Sequence, residues 1–237
     1  MHHLQEKTVL HRLMEIDWDI LDNKRKTILP LFKHFADEGF YLAGGTGLAL
    51  QIGHRDSIDF DFFKKGDYDT AALIKKLESV FKNHKLSITQ QDKNTVSCSI
   101  DNNIRLSFFS YNYALLKPLV GTDYFEIASI EDIACMKLSA IISRAVEKDY
   151  VDLYFILQKI SLDDLLDYSR KKYRSLDEMM ILKSLPFFED VQKEHILFKE
   201  GHKVSLKQMK KYFEESVRQK ELKDARKSKG KGNNIER

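Results

Sequence analysis

A mixed α/β fold, in which a helix-flanked sheet gives way to a helical C-terminal lobe, is predicted by three features of this sequence. The 237 residues are 43% hydrophobic and nearly charge-balanced, with 39 Lys+Arg against 36 Asp+Glu, which suits one or two globular domains rather than a fibre or a disordered chain. The first half interleaves strand-like and helix-like periodicities. From Ser129 onward the apolar spacing is helical throughout.

Taken in order, Leu4–Ile16 and Trp18–Phe35 carry apolar residues at helical spacing, with Pro30 at a helix start or a kink. Phe40–Ala43 (FYLA) is a short buried strand that runs into Gly44-Gly45-Thr46, after which GLALQIG has the apolar density of a short helix. Ser57–Phe63 (SIDFDFF) alternates strictly, so Ile58, Phe60 and Phe62 share a buried face and Ser57, Asp59 and Asp61 share the other. Asp69–Asn83 is an amphipathic helix, and HKLSITQ, NTVSCSI and NIRLSFFSY are three further strands separated by polar turns. SIEDIACMKLSAIISR, DYVDLYFILQ and the segments Leu162–Tyr173, Leu176–Leu185 and Ser205–Arg218 are helices. The expected division is a sheet lobe with N-terminal helices at 1–125, a helical lobe at 126–219 and a basic, disordered tail at 220–237.

Composition excludes several classes. The longest uncharged apolar stretches, such as YLAGGTGLALQIG, are too short and too rich in glycine to cross a bilayer, and Met1–Trp18 has no signal-peptide pattern, so a cytoplasmic chain with no membrane partner is expected. Cys98 and Cys135 form no CxxC pair and read as two reduced, buried thiols. The histidines show no ligand-like spacing, which gives zinc no support, and no GxSxG context marks a covalent hydrolase. Lys220–Arg237 holds seven Lys/Arg against three acids, a net of +4, so the formal +3 of the whole chain leaves −1 on the body. A basic tail touching nucleic-acid phosphates is therefore open, with solvated disorder as its alternative, whereas a generally basic nucleic-acid binder is excluded.

The chemistry begins with Asp59 and Asp61. Two carboxylates two residues apart on one strand face repel unless a cation lies between them, and Mg²⁺ takes such oxygen ligands together with waters and phosphates. An edge strand made acidic for solubility is the alternative. The Gly44-Gly45 turn, between a strand and a helix, lets backbone approach a phosphate, with helix N-terminal amides and the Thr46 hydroxyl directed at the anion. Neither a GxxxxGK[ST] loop nor a GxGxxG fingerprint is present. Lys137 and Arg144 interrupt one apolar helix stripe, either as a phosphate clamp or with snorkelling side chains that reach water. Asp149 and Asp152, three residues apart on the next helix, face either Arg144 or a cleft.

With these residues in place, Gly44–Phe63 (GGTGLALQIGHRDSIDFDFF) resembles the AbiEii/AbiGii-type nucleotidyltransferase toxins, a branch of the DNA polymerase β-like nucleotidyltransferase superfamily. Lys137-Leu138 and the stretch from Arg144 through Lys148-Asp149-Tyr150-Val151-Asp152-Leu153-Tyr154 resemble that family's later Lys and Asp motifs, so the similarity spans Phe40 to Leu157. The resemblance implies a nucleotidyltransferase-type mixed β-sheet, Mg²⁺ as cofactor and an NTP as substrate. Gly44, Gly45, Thr46, Arg55, Ser57 and Lys137 then correspond to nucleotide contacts, Asp59 and Asp61 to the metal ligands, and Asp149 to a downstream catalytic acid with Asp152 as its competitor. It further implies transfer of an NMP to an RNA, transfer RNA included, or to a protein, by the toxin of a toxin–antitoxin or phage-defence (abortive-infection) system with a cognate antitoxin. Ser107 stands where the wider superfamily places a third carboxylate, with Asp101 upstream in a turn, so the base for the attacking hydroxyl is unassigned. A silent nucleotidyltransferase fold used for binding and a metal-dependent phosphoesterase or nuclease are the alternatives.

Overall fold

The computed structural model describes residues 16–232. The helix expected over Leu4–Ile16 lies outside the described residues, apart from Ile16. Instead of one helix over Trp18–Phe35, the chain makes a 3₁₀ turn at Trp18–Ile20, helix α1 (Asn23–Ile28), a 3₁₀ turn at Leu29–Phe32 and α2 (Lys33–Ala36). Pro30 causes the break: it sits in the first turn of the second 3₁₀ piece, where its missing N–H costs least.

Seven strands form one sheet in the order β3-β4-β5-β2-β1-β7-β6. They are β1 (Tyr41–Ala43), β2 (Asp59–Lys64), β3 (Leu86–Asp92), β4 (Thr95–Ile100), β5 (Ile104–Ser110), β6 (Val120–Gly121) and β7 (Glu126–Ile127). The pairs β2/β5 and β1/β7 are parallel; the others are antiparallel. Because β7 joins the sheet through Leu42 and Ile127, the sheet does not end at residue 125, and the helical part starts at the Ser129 cap. Two-residue strands such as β6 and β7 are too short to show alternation, which is why the sequence did not reveal them.

One sheet face is the core. Phe60, Phe62, Leu106 and Phe108 point into it and are fully buried, and Phe32 packs edge-on against Phe60 and Phe62 at centroid distances of 4.8 and 5.2 Å. Helix α4 (Thr70–Val80), capped by Asp69, buries Leu73 and Leu77 on the same side. Ile58, expected on this face, instead precedes the strand and is 56% exposed.

The other face carries Asp59, Asp61 and Phe63 on β2, in register with Arg105, Ser107 and Phe109 on β5. Helix α3 (Gly44–Ile52) leaves β1 directly, at a Gly44 φ of +66° that a side chain would strain, and ends at Gly53 with φ +64°. Against α3 pack α5 (Ile130–Arg144) and α6 (Glu147–Ile156). Then follow α7 (Leu162–Lys172), α8 (Glu178–Ser184) and α9 (Leu206–Gly232). Helix α9 thus runs far beyond Arg218, through most of the segment expected to be a disordered tail. Its Lys220 bonds to Asp163 and Glu178 at 3.6 and 3.4 Å, and Lys223 pairs with Asp163, so tertiary ion pairs replace solvation there. Among the described residues no helix is long and apolar enough to cross a membrane. Cys98 and Cys135 are free and buried.

Candidate active site

A cavity of about 760 Å³ lies between the Asp59/Asp61 face of the sheet and the helical part. Its walls include Gly44, Gly45, Thr46, Arg55, Ser57, Asp59, Asp61, Lys137, Arg144 and Asp149. The structure therefore brings together every residue that sequence reasoning had selected except Asp152, which is fully buried behind the wall.

The two carboxylates are placed by β2. Burial first, and the neighbouring Asp59 second, push the Asp61 carboxyl above its ordinary value, while Lys137, Lys148 and Arg144 pull it down. Ser107 stands beside Asp61 in the parallel register, on the same face, so the position of a third carboxylate is occupied by a hydroxyl that accepts from Ser97 at 3.3 Å. Among the described residues no group of three or more acidic, His or Cys side chains is placed to hold a metal ion. Two carboxylates with the remaining positions open to phosphates and water are a donor set that Mg²⁺ accepts, so Asp59 and Asp61 fit that ion.

The glycine turn has a second function besides backbone approach. A Cβ on Gly45 would lie 2.5 Å from Arg55 Nη2, and one on Gly44 would lie 2.9 Å from Asp61 Oδ2. Their missing side chains let a guanidinium and a carboxylate pack against the start of α3. That helix has no side-chain cap, so its first N–H groups are left for an anion in the cavity. Thr46 is not free to point at that anion. It is buried, its hydroxyl donates to the Asp59 carbonyl, and Ser57 Oγ must then donate to Thr46 Oγ1 at 2.7 Å. Thr46 ties α3 to the start of β2.

Behind the cavity wall lies a buried charge cluster. Lys137 Nζ donates to Asp149 Oδ1 at 2.7 Å and lies 2.6 Å from Asp152 Oδ2. Arg55 forks onto Asp152, Nε to Oδ1 at 2.7 Å and Nη2 to Oδ2 at 2.9 Å, and His54 Nε2 lies 2.8 Å from Oδ1. Arg144 Nε donates to Asp149 Oδ2 at 2.9 Å. Burial alone would raise the Asp152 carboxyl, but Arg55 and Lys137 outweigh it and hold it well below its ordinary value. Burial pulls His54 below its ordinary value against the opposing pull of Asp152, so its ring is neutral and Nε2–H donates. Burial also opposes the charge on Lys137, and Asp152 and Asp149 raise its pKa nonetheless.

This geometry revises three expectations. Arg55 borders the cavity but commits its fork to Asp152, because a desolvated carboxylate is the stronger partner. Lys137 does not snorkel: it is 4% exposed, with its ammonium between two carboxylates. Asp149 has both oxygens engaged by cations, which suits a group that positions Lys137 and Arg144 better than a proton acceptor. Three cations against two carboxylates leave the cluster one net positive charge, and Arg144, with its side chain 55% exposed, is the member that presents it.

Sequence reasoning missed Arg105, opposite Asp59 on β5, and Lys148, paired with Glu194 at 3.2 Å; both line the cavity. The alternation of β5 could have put Arg105 on the acidic face. The rim residues Glu194–Leu197 gave no such signal. They reach the site by chain pairing, with Asp56 N–H donating to the Leu197 carbonyl at 2.8 Å.

A mixed sheet that sets paired carboxylates beside a glycine turn, faced by helices bearing cations, defines a nucleotidyltransferase. Residues 30–227 match the family described as "Nucleotidyl transferase AbiEii toxin, Type IV TA system", and the chain belongs to that family. It is 40% identical over 161 residues to an uncharacterised protein of Aquifex aeolicus, an overlap covering 65% of this chain and 76% of that one. The fold is similar to MenT4, a nucleotidyltransferase toxin of Mycobacterium tuberculosis, with a TM-score of 0.58 and 15% identity over 82% of this chain and 80% of that one. It is also similar to JHP933 from Helicobacter pylori, with a TM-score of 0.53 and 18% identity over 93% of this chain and all of the other.

Proposed function

We propose that this nucleotidyltransferase transfers an NMP from an NTP to a hydroxyl acceptor on RNA, transfer RNA included, or on protein, as the toxin of a cytoplasmic toxin–antitoxin or phage-defence pair. The observation that carries the reading is the convergence of Asp59 and Asp61 with the uncapped start of α3, Arg144 and Lys148 on one cavity. Asp59 and Asp61 would hold Mg²⁺, which when bound offsets phosphate charge and lowers the pKa of a hydroxyl near it. The amides of Gly44 and Gly45 receive phosphate oxygens, and Arg144 supplies a forked cation to the same group. Lys148, paired with the rim residue Glu194, adds a second charge at the mouth. The bond formed joins the acceptor oxygen to the α-phosphorus, the bond broken is that to the β-phosphate oxygen, and pyrophosphate leaves with its charge facing these cations. Among the described residues, Ser107 stands beside Asp61 in place of a third carboxylate, and of the cavity carboxylates Asp56, Asp149 and Glu194 are each paired with a cation, which leaves Asp59 and Asp61. The acceptor proton therefore passes to solvent or to Asp59 or Asp61.

The test is incubation with each NTP labelled at the α-phosphorus, Mg²⁺ and total RNA. Label on RNA or on protein supports transfer and identifies the acceptor class. Label only in free NMP or NDP would replace transfer with hydrolysis, and no turnover would favour the silent fold.

A further inference from the structure

Two side chains at the cavity are exposed in a way that folding does not explain. Of the large apolar side chains exposed among the described residues, Ile58 at 56% and Leu197 at 53% are the two that line this cavity. Their uncovered surface adds nothing to stability, because only apolar area removed from water does so. The main chain of each is nevertheless fixed. The Leu197 carbonyl accepts the Asp56 N–H at 2.8 Å, and Arg55 and Phe198 form an antiparallel bridge next to it. The Lys199 N–H donates to the His54 carbonyl at 3.1 Å, and Lys199 Nζ lies 2.6 Å from Asp56 Oδ1. Residues 197–199 are thereby tied alongside 54–56.

Ile58 is held by a cation that the phosphate end of the cavity does not use. Arg25, on α1, is 5% exposed. Its Nε donates to the Ile58 carbonyl at 2.8 Å and its Nη2 to the Asn103 carbonyl at 2.7 Å, while Nη1 pairs with Asp22, the cap of α1. A guanidinium is costly to bury unless its donors are satisfied. Here they are satisfied by fixing the residue that lies between Ser57 and Asp59.

We propose that Ile58 and Leu197 are the apolar contacts that hold the nucleobase of the NTP; the inference rests on the nucleotidyl-transfer reading above and names the part of the site that takes the base. The amides of Gly44 and Gly45, the paired carboxylates with their cation, Arg144 and Lys148 all serve the charged end of the substrate. A base has two weakly polar faces that gain from leaving water, and apolar side chains cover such faces. Phe63 and Phe109, also in the lining, are half-buried and already packed on rings: their centroids are 5.3 Å apart, and Phe63 is 5.5 Å from Tyr111. Ile58 and Leu197 keep their surface uncovered. Because their backbones are already fixed, little conformational freedom is lost when a base settles on them.

The test compares two probes by calorimetry in the presence of Mg²⁺: each NTP, and ribose 5′-triphosphate, which lacks only the base. Ile58→Ala and Leu197→Ala should each raise the NTP Kd about tenfold, as expected for losing roughly half the burial of an aliphatic side chain, and leave the ribose triphosphate Kd within about twofold. Ile58→Leu should hold the NTP Kd within about threefold, since the contact needs apolar area rather than one shape. Met180→Ala, at a side chain 53% exposed outside the cavity, should change neither Kd. All these positions are exposed, so the variants fold. An NTP Kd unaffected by both alanine variants at the cavity, equal weakening of both probes, or a like loss in Met180→Ala would overturn the proposal and leave the nucleotide reading standing. A wild type that binds neither probe would sink that reading, and the base contact with it.

Discussion

Residue by residue, the site separates groups engaged in buried ion pairs from groups left open to the cavity. Lys137 is of the first kind, and removing it leaves Asp149 and Asp152 buried with one cation fewer. Lys137→Met should therefore lower stability by about 3–5 kcal/mol in urea unfolding, the usual loss when one member of a buried ion pair is removed. Arg144→Ala takes a half-exposed donor from the buried Asp149, so it should lower the urea midpoint less than Lys137→Met and weaken NTP binding as well. The opposite split would assign Lys137 to the phosphates. His54 makes a second prediction. Its folded pKa is depressed, so the unfolded chain binds the extra proton and stability falls as pH drops below the ordinary histidine value of 6.5. Asp152, also depressed, adds a further loss below 3.8. His54→Gln should flatten the melting temperature between neutral pH and the carboxylate range while leaving the steeper acid loss; an unchanged profile would contradict the assignment. Asp59 and Asp61 were legible because a strand's period is two, which puts them on one face whatever surrounds it. The Arg55–Asp152 fork was not, since it joins residues 97 positions apart and no local pattern encodes it.

Among the elements, the strand–glycine–helix junction does most to shape the cavity. Gly45→Ala should drive its Cβ into Arg55, disturb the fork on Asp152, lower the melting temperature and impair NTP binding together. Gly39→Ala is the control. Gly39 has φ +85° with nothing within 4 Å of a built Cβ, so backbone strain of about 1–2 kcal/mol should appear without loss of NTP binding. Equal effects on NTP binding would mean that general destabilisation, not the Arg55 contact, explains Gly45. Both α3 and β2 could be read from the sequence because apolar density and alternation are strong there. The limits of β2 could not: Ile58 continues the alternation but lies outside the ladder, at the cavity rim. The 3₁₀ breaks around Pro30 were visible only as a proline within a helical pattern.

For the whole molecule, periodicity correctly foretold a sheet followed by helices, while charge counting misjudged the C-terminus. A run of lysines reads as solvated until Asp163 and Glu178, distant in sequence, turn out to face it. Deleting residues 220–237 should consequently lower the melting temperature and leave the salt dependence of RNA binding as it was. A flattened salt slope at constant stability would restore the tail as the acceptor contact. The central claim, that Asp59 and Asp61 form the cation site of a nucleotide cavity, is tested most directly by melting temperature with and without Mg²⁺. Burial, and Asp59 beside it, raise the folded pKa of Asp61, which costs stability at pH above the ordinary carboxylate range. Metal-free Asp59→Asn and Asp61→Asn should thus melt at or above the wild type. Mg²⁺ should raise the wild type by mass action, about 2.7 kcal/mol at a hundredfold excess over its Kd, and leave both variants where they were. A wild type indifferent to Mg²⁺, or variants that respond equally, would contradict the account.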